Sequence, residues 1–84
     1  MTRVTIYTTP ICPYCSMAKR LLSSKAVTYE EIDVSRDAAA REKMVKTSGR
    51  RTVPQIWIGD RHVGGCDDLY ALENGGQLDA LLSV

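Results

Sequence analysis

The sequence predicts an α/β fold in which helices flank a four-stranded mixed sheet, in the element order βαβαββαα. Strand and helix patterns alternate through the first half of the chain, two short strand patterns then follow each other across a two-residue turn, and two helical stretches end the chain. A helix between two strands implies a parallel pair with a right-handed crossover, whereas a tight turn implies an antiparallel pair. Because the chain has only 84 residues, we expect one domain, spanning residues 1–84.

The first half of the chain predicts a strand, a helix and a second strand. Residues 3–7 alternate and are rich in β-branched and aromatic side chains, with Val4 and Ile6 on one face. Residues 13 to about 24 begin at a proline, which suits a first helical turn, and residues 27–34 predict the second strand. Apolar residues recur at helical spacing in the first helix, and we expect them to form one buried stripe: Tyr14, Met17, Ala18, Leu21 and Leu22.

The second half predicts a helix, a hairpin and two short helices. Ser35 and Asp37 offer a cap and a first-turn acid for a helix that Gly49 would end. Residues 53–58 and 61–63 are short strand patterns separated by Gly-Asp, which predicts an antiparallel hairpin. Glycine pairs then set off a third helix, beginning near an Asp-Asp pair, and a last helix rich in leucine.

The charge balance excludes some partners. Eleven basic and ten acidic residues are interspersed and give a net charge of +1, so no basic stretch predicts binding to nucleic acid or to an anionic membrane. No apolar run approaches the roughly 20 residues of a spanning helix, and no apolar signal-peptide segment follows Met1 and Thr2. We therefore expect a cytoplasmic protein.

The three cysteines carry the chemistry that the sequence predicts. An odd number without an export signal argues against a disulfide-stapled secreted fold, and a Cys-x-x-Cys pair in a reducing compartment is more often catalytic or metal-binding. Cys12 falls at the start of the first helix, where free N–H groups favour a thiolate, and Cys15 lies one turn further on the same face. This placement predicts two-step thiol–disulfide exchange, with Cys12 attacking and Cys15 resolving.

A metal site is the alternative hypothesis for the cysteines. Cys12, Cys15, His62 and Cys66 together would make a Cys₃His zinc set, and an iron–sulfur cluster could use similar ligands. Zinc ligands normally come in two closely spaced pairs, however, and the second pair here is split by a Gly-Gly break. We expect no metal, and a binding module for zinc or an iron–sulfur cluster stays as an alternative.

Three short motifs together resemble a known family. They are CPYC at residues 12–15, TVP at 52–54 and GGCDD at 64–68. In this order and spacing they are similar to those of the dithiol glutaredoxins, and the similarity runs over essentially the whole chain. The resemblance implies a thioredoxin-like fold and glutathione as cosubstrate, with no tightly bound cofactor.

The resemblance also implies a glutathione site around the cysteine pair. It implies that Pro54 is cis and faces Cys12, which leaves the backbone of Val53 free to pair with the cysteinyl part of glutathione. Thr52 belongs to the same motif. Tyr14 would flank the thiolate and contact the bound peptide, although its spacing also suits the apolar stripe of the helix.

The GGCDD motif would bind the other end of glutathione. Gly65 allows close approach to the backbone, and the helix start near Cys66 presents N–H groups to the γ-glutamyl carboxylate. Asp67 would accept from the γ-glutamyl ammonium, while Asp68 would cap the helix. We expect Cys66 itself to be a small buried residue at the helix start, with a thiol that could still be oxidised. We expect no chemical role for His62.

A positive charge is expected for the glycine carboxylate. Arg50 and Arg51 precede the TVP motif, and we favour Arg51 because it adjoins the motif, the alternative being a solvated loop charge. One position departs from the family: glutaredoxins often carry a lysine three residues before the first cysteine, where this chain has Thr9.

We therefore expect a monomeric, glutathione-dependent thiol–disulfide oxidoreductase. Its partners would be glutathione and glutathionylated or disulfide-containing proteins, with ribonucleotide reductase as one client and with glutathione reductase and NADPH restoring glutathione. A redoxin served by thioredoxin reductase is the nearest alternative, although the GGCDD motif argues against it. No Gly-rich loop in the required setting predicts a nucleotide site.

Overall fold

A computed structural model describes residues 3–83, so residues 1, 2 and 84 at the ends of the predicted domain lie outside the description, as does the expectation about a signal segment at Met1 and Thr2. The predicted element order is confirmed. The elements are β1 (Val4–Thr8), α1 (Pro13–Ser24), β2 (Tyr29–Asp33), α2 (Ala38–Ser48), β3 (Gln55–Ile58), β4 (Arg61–Gly64), α3 (Cys66–Asn74) and α4 (Leu78–Leu82).

The four strands form one mixed sheet in the order β2-β1-β3-β4. β1 is parallel to β2, with Val4 opposite Tyr29, and antiparallel to β3, with Val4 opposite Ile58. β3 and β4 form the expected antiparallel hairpin, with Trp57 opposite His62. The βαβ unit and the hairpin are thus both as predicted, and β4 lies at an edge of the sheet.

Both faces of the sheet carry apolar residues, because successive side chains of a strand point to opposite faces. On one face Val4 and Ile6 join the larger core with residues of α1, α3 and α4. On the other, Tyr7 packs with Met44 of α2 in a smaller cluster. Within residues 3–83 no helix combines the length and the apolar character needed to cross a membrane.

The stripe predicted for α1 is only partly buried. Ala18, Leu21 and Leu22 are buried as expected, but Tyr14 and Met17 are 64% and 41% exposed. Tyr14 lies in the first turn of the helix, where it borders an open cavity instead of the core. Its alternative role as a contact for a bound peptide is the one that its exposure favours.

Two boundaries also differ from the sequence prediction, each for a local reason. β3 begins at Gln55 and not at residue 53, since Pro54 has no N–H to donate to a sheet ladder. Asp37, not Ser35, caps α2, because its carboxylate accepts from the Ala40 N–H over 3.0 Å. Gly49 ends that helix in the left-handed conformation, as predicted.

Candidate active site

Cys12 lies between the end of β1 and the first turn of α1. Its backbone is extended and its Sγ caps the helix by accepting a hydrogen bond from the Cys15 N–H over 3.1 Å. The side chain is partly exposed. A sulfur that accepts from a free N–H at the positive end of a helix is better suited to carry negative charge than one in solvent.

Cys15 has the opposite surroundings, although it is only one turn away. Its side chain is 1% exposed. Burial, reinforced by a side-chain hydrogen bond with Cys12, raises the pKa of the Cys15 thiol from 9.0 to about 12, and a hydrogen bond from the backbone of Thr9 opposes this only in part. Cys15 is therefore a protonated thiol near neutral pH.

A cavity of about 370 Å³ opens beside the cysteine pair. The Val53–Pro54 peptide bond next to it is cis, as the resemblance implied, and Cys12 Sγ lies 3.9 Å from the Val53 carbonyl oxygen. A second hollow of about 340 Å³ lies away from the cysteines, around Tyr29 and Leu82, and has no thiol or imidazole in its lining. The residues that line the cavity beside the cysteines are Tyr14, Arg50, Thr52, Val53, Pro54, Gly65, Cys66 and Asp67.

Sequence reasoning selected all of these lining residues except Arg50. It favoured Arg51, which is exposed and outside the lining. Arg50 Nη1 instead donates to Asp68 Oδ2 over 2.9 Å, which fixes the guanidinium at the rim of the cavity. The structure thus brings the neighbouring arginine to the cavity, while a contact from Arg51 stays a prediction.

The start of α3 forms the far wall of the cavity. Asp68 Oδ2 accepts from the Gly65 N–H over 2.9 Å, so its predicted capping role is confirmed, and this bond together with Arg50 lowers the pKa of Asp68. Asp67 is exposed and faces the cavity. A Cβ at Gly65 would stand 3.3 Å from the Asp67 carboxylate and 3.5 Å from the Pro54 carbonyl, so a side chain there would crowd the site.

Cys66 is the first residue of α3 and is 5% exposed. Burial raises the pKa of its thiol, and the negative charges of Asp67 and Cys12 raise it further. Although Cys66 lines the cavity, its thiol is protonated at neutral pH. Its predicted identity as a small buried residue at the helix start is confirmed.

One buried polar residue next to the TVP motif, Gln55, was not selected from the sequence. Gln55 is fully buried, and its Nε2 donates to the Thr52 carbonyl oxygen over 3.0 Å and to Thr52 Oγ1 over 3.2 Å. Its Oε1 lies 2.8 Å from His62 Nε2. The signal available in the sequence was a glutamine directly after the TVP motif and before the apolar run of β3.

The zinc alternative needs its four ligands in one place. Among the residues that the structure describes, no three His, Cys, Asp or Glu side chains are grouped so that they could hold a metal ion. His62, the fourth ligand of the proposed set, is hydrogen-bonded to Gln55 on the edge strand. The arrangement therefore gives the zinc set no support.

Comparisons with known proteins agree with this geometry. The family model described as Glutaredoxin matches residues 4–63. Glutaredoxin 3 of Escherichia coli K12 is 58% identical over 82 residues, covering 98% of this chain and 99% of the relative. Glutaredoxin of Pseudomonas aeruginosa is 55% identical over 84 residues, covering all of both chains.

Solved structures of glutaredoxins superpose on this chain. The solution structure of a glutaredoxin from Brucella melitensis superposes with a TM-score of 0.86 at 57% identity, covering 98% of this chain and 89% of that one. A crystal structure of a buckwheat glutaredoxin–glutathione complex superposes with a TM-score of 0.90 at 28% identity, covering 98% and 77%. The predicted thioredoxin-like fold is confirmed, and the chain belongs to the glutaredoxin family of glutathione-dependent thiol–disulfide oxidoreductases.

Proposed function

We propose that Cys12 is the attacking thiolate, that Cys15 is the resolving thiol and that glutathione binds in the adjoining cavity. The observation that carries the proposal is the 3.1 Å hydrogen bond from the Cys15 N–H to Cys12 Sγ, a sulfur that lies 3.9 Å from the carbonyl oxygen of Val53 in the cavity lining. It gives the partly exposed Cys12 sulfur a stabilising donor and keeps the second cysteine one helical turn away.

The first reaction removes glutathione from a protein. The Cys12 thiolate attacks the glutathionyl sulfur of the mixed disulfide, an S–S bond forms between Cys12 and glutathione, and the protein thiolate leaves and takes up a proton. A second glutathione thiolate then attacks the glutathionyl sulfur on Cys12. Oxidised glutathione leaves, and the Cys12 thiolate is regenerated without any part for Cys15.

The second reaction reduces a protein disulfide. Cys12 attacks one sulfur of the client, and the other client sulfur leaves as a thiolate. Cys15 then loses its proton and attacks Cys12 Sγ, which releases the second client sulfur and leaves a Cys12–Cys15 disulfide. Two glutathione molecules reduce that disulfide and leave as oxidised glutathione.

Glutathione would lie between the TVP loop and the start of α3. The Val53 backbone would pair with the cysteinyl part of the tripeptide, as an added strand does. The N–H groups of the first turn of α3, near Gly65 and Cys66, would bind the γ-glutamyl carboxylate, and Asp67 would accept from the ammonium group. The buckwheat relative was crystallised as a glutathione complex, which supports glutathione as the ligand of this cavity.

The glycine carboxylate would lie at the other end, near Tyr14 and Thr52. Arg51 is the arginine predicted from the sequence, and Arg50 is a second donor. A guanidinium has five N–H groups, so the bond from Arg50 Nη1 to Asp68 leaves others for a carboxylate.

The clients would be glutathionylated and disulfide-containing proteins, including ribonucleotide reductase. The exposed large apolar side chains in the described part of the chain, Ile11, Tyr14 and Met17, all lie within five positions of Cys12, which suits contact with a protein. Glutathione reductase and NADPH would restore reduced glutathione. We propose a cytoplasmic monomer of one domain, residues 1–84, with no tightly bound cofactor.

A coupled assay tests this function. Protein, reduced glutathione, glutathione reductase and NADPH are mixed with a glutathionylated peptide, and NADPH oxidation is followed. We expect a rate proportional to the protein, lost when glutathione is omitted and lost in Cys12→Ser. Equal turnover with thioredoxin reductase in place of glutathione and its reductase would favour the alternative redoxin instead.

A further inference from the structure

Gln55 is a fully buried polar residue in a sheet strand that is otherwise apolar. Burying an amide is unfavourable unless its donors and acceptor are paired. All of them are paired here, since Nε2 donates twice to Thr52 and Oε1 meets His62. The amide thus joins the edge strand β4 to the loop that lines the cavity.

The orientation of this amide follows from its partners. The Thr52 carbonyl oxygen is an acceptor only, so the amide nitrogen must face Thr52 and the amide oxygen must face His62. His62 Nε2 therefore carries a hydrogen and donates it to Gln55 Oε1 over 2.8 Å. The imidazole is itself placed by Trp57, whose ring centroid lies 4.6 Å away.

Thr52 is the point at which this hydrogen-bonded chain reaches the cavity. It is bonded through both its carbonyl and its hydroxyl, and the next residue, Val53, has its carbonyl oxygen 3.9 Å from Cys12 Sγ. The Gln55 amide holds both the carbonyl oxygen and the hydroxyl oxygen of Thr52. A shift of this amide would therefore move the adjoining Val53 backbone relative to the Cys12 sulfur.

We infer that Gln55 and His62 are positioning residues for glutathione binding, which hold Thr52 and the Val53 backbone in the conformation that pairs with the tripeptide. The inference rests on the proposed function, since it assigns a support to the same cavity. Neither residue touches glutathione in this account. His62 acts on Gln55, and Gln55 acts on Thr52.

The test compares variants that keep the packing and remove the hydrogen bonds. His62→Phe keeps a ring against Trp57 but loses the N–H, and Gln55→Met fills a similar volume without polar atoms. We expect the Kd for S-methylglutathione, measured by titration calorimetry, and the KM for glutathione to rise about three- to tenfold, the change that corresponds to about one hydrogen bond. The rate at which Cys12 is alkylated should stay unchanged.

Two further variants separate positioning from general stability. His62→Gln restores an N–H donor and should bind S-methylglutathione more tightly than His62→Phe, whereas Arg61→Gln, on the same strand, should bind as the wild type does. A lower Tm with Kd and KM within twofold of the wild type, in both His62→Phe and Gln55→Met, would overturn the inference. A wild-type chain that neither binds S-methylglutathione nor uses glutathione would instead overturn the proposed function.

Discussion

The Cys15 N–H donates to Cys12 Sγ over 3.1 Å, so the backbone of one cysteine supports the sulfur of the other. The two side chains nevertheless differ in their surroundings. Cys12 is partly exposed, whereas Cys15 is 1% exposed and has a pKa raised to about 12. Burial and the helix start thus support the proposed roles, with Cys12 as the attacking thiol and Cys15 as the resolving thiol.

This difference predicts selective alkylation. A single equivalent of iodoacetamide near neutral pH should modify Cys12, because it is accessible and accepts the helix N–H. Cys15 and Cys66 should stay unmodified, since both are buried and both have raised pKa values. Peptide mass spectrometry gives the site, with Cys12→Ser as the control that should take up little reagent. Labelling of Cys66 ahead of Cys12 would contradict the assignment.

Replacing each cysteine of the pair separates the two reactions. Cys12→Ser should abolish both, because it removes the attacking sulfur. Cys15→Ser should lose reduction of a protein disulfide but keep removal of glutathione from a peptide, since that route needs only Cys12 and glutathione. Both activities are measured with the same glutathione reductase coupling. Equal loss of both in Cys15→Ser would show that the roles are misassigned.

Apolar spacing, caps and turn residues together are enough to predict the elements of the fold. The first helix shows an apolar stripe, whereas α2 is marked by its cap and by Gly49. Strand order and register needed the structure, since the contact between Gln55 and His62 depends on how β3 and β4 align. The sequence also could not show whether Arg50 or Arg51 faces the cavity. Neighbouring side chains point in different directions, and only the backbone path decides which one faces the cavity.

Tyr14 illustrates a different limit. Its helical spacing matches that of Ala18 and Leu21, which are buried, yet it is 64% exposed. Periodicity gives the direction of a side chain but not the extent of the sheet or helix that would cover it. The first turn of α1 borders the open cavity, so a residue with core spacing lies at the site instead.

The two aspartates of the GGCDD motif should respond differently to substitution. Asp67→Ala should raise the KM for glutathione with little change in stability, because Asp67 is exposed at the cavity and makes no cap. Asp68→Ala removes the acceptor for the Gly65 N–H and for Arg50, and should lower the free energy of unfolding by about 1 kcal/mol. Urea unfolding and the coupled assay measure the two effects. Unchanged glutathione kinetics in Asp67→Ala would remove that residue from the site.

The buried thiol of Cys15 predicts a loss of stability in alkali. Its folded-state pKa of about 12 lies above the ordinary value of 9.0. The buried thiol therefore contributes fully to the free energy of unfolding below about pH 9. As pH rises from about 9 towards 12, the unfolded chain ionises this thiol while the folded chain keeps it protonated, and the free energy of unfolding falls. Urea unfolding of the reduced protein at about pH 7.5 and pH 10.5 should show this fall.

Cys15→Ser provides the control for the alkaline prediction, because serine does not ionise in this range. Other groups titrate in both proteins, so the quantity to compare is the difference in free energy of unfolding between wild type and variant. Between about pH 7.5 and pH 10.5, the free energy of unfolding should fall more in the wild type than in Cys15→Ser. A difference that is constant between the two pH values would show that Cys15 ionises equally easily in the folded chain.

Thr9→Lys should strengthen the use of glutathione. Thr9 lies three residues before Cys12 and is partly buried, and the lysine that many glutaredoxins carry there would add a cation near both the reactive sulfur and the glycine carboxylate. An ion pair at such a site contributes about 0.2 to 1 kcal/mol, so we expect the KM for glutathione to fall by a factor of about 1.4 to 5. Thr9→Gln places a side chain about as long as lysine but without charge, and it should leave the KM for glutathione unchanged.

Because salt screens exposed charges, the gain of the Thr9→Lys variant should shrink as ionic strength rises. A gain that is equal in Thr9→Gln, or that is insensitive to salt, would mean that charge at residue 9 is not what binds the carboxylate.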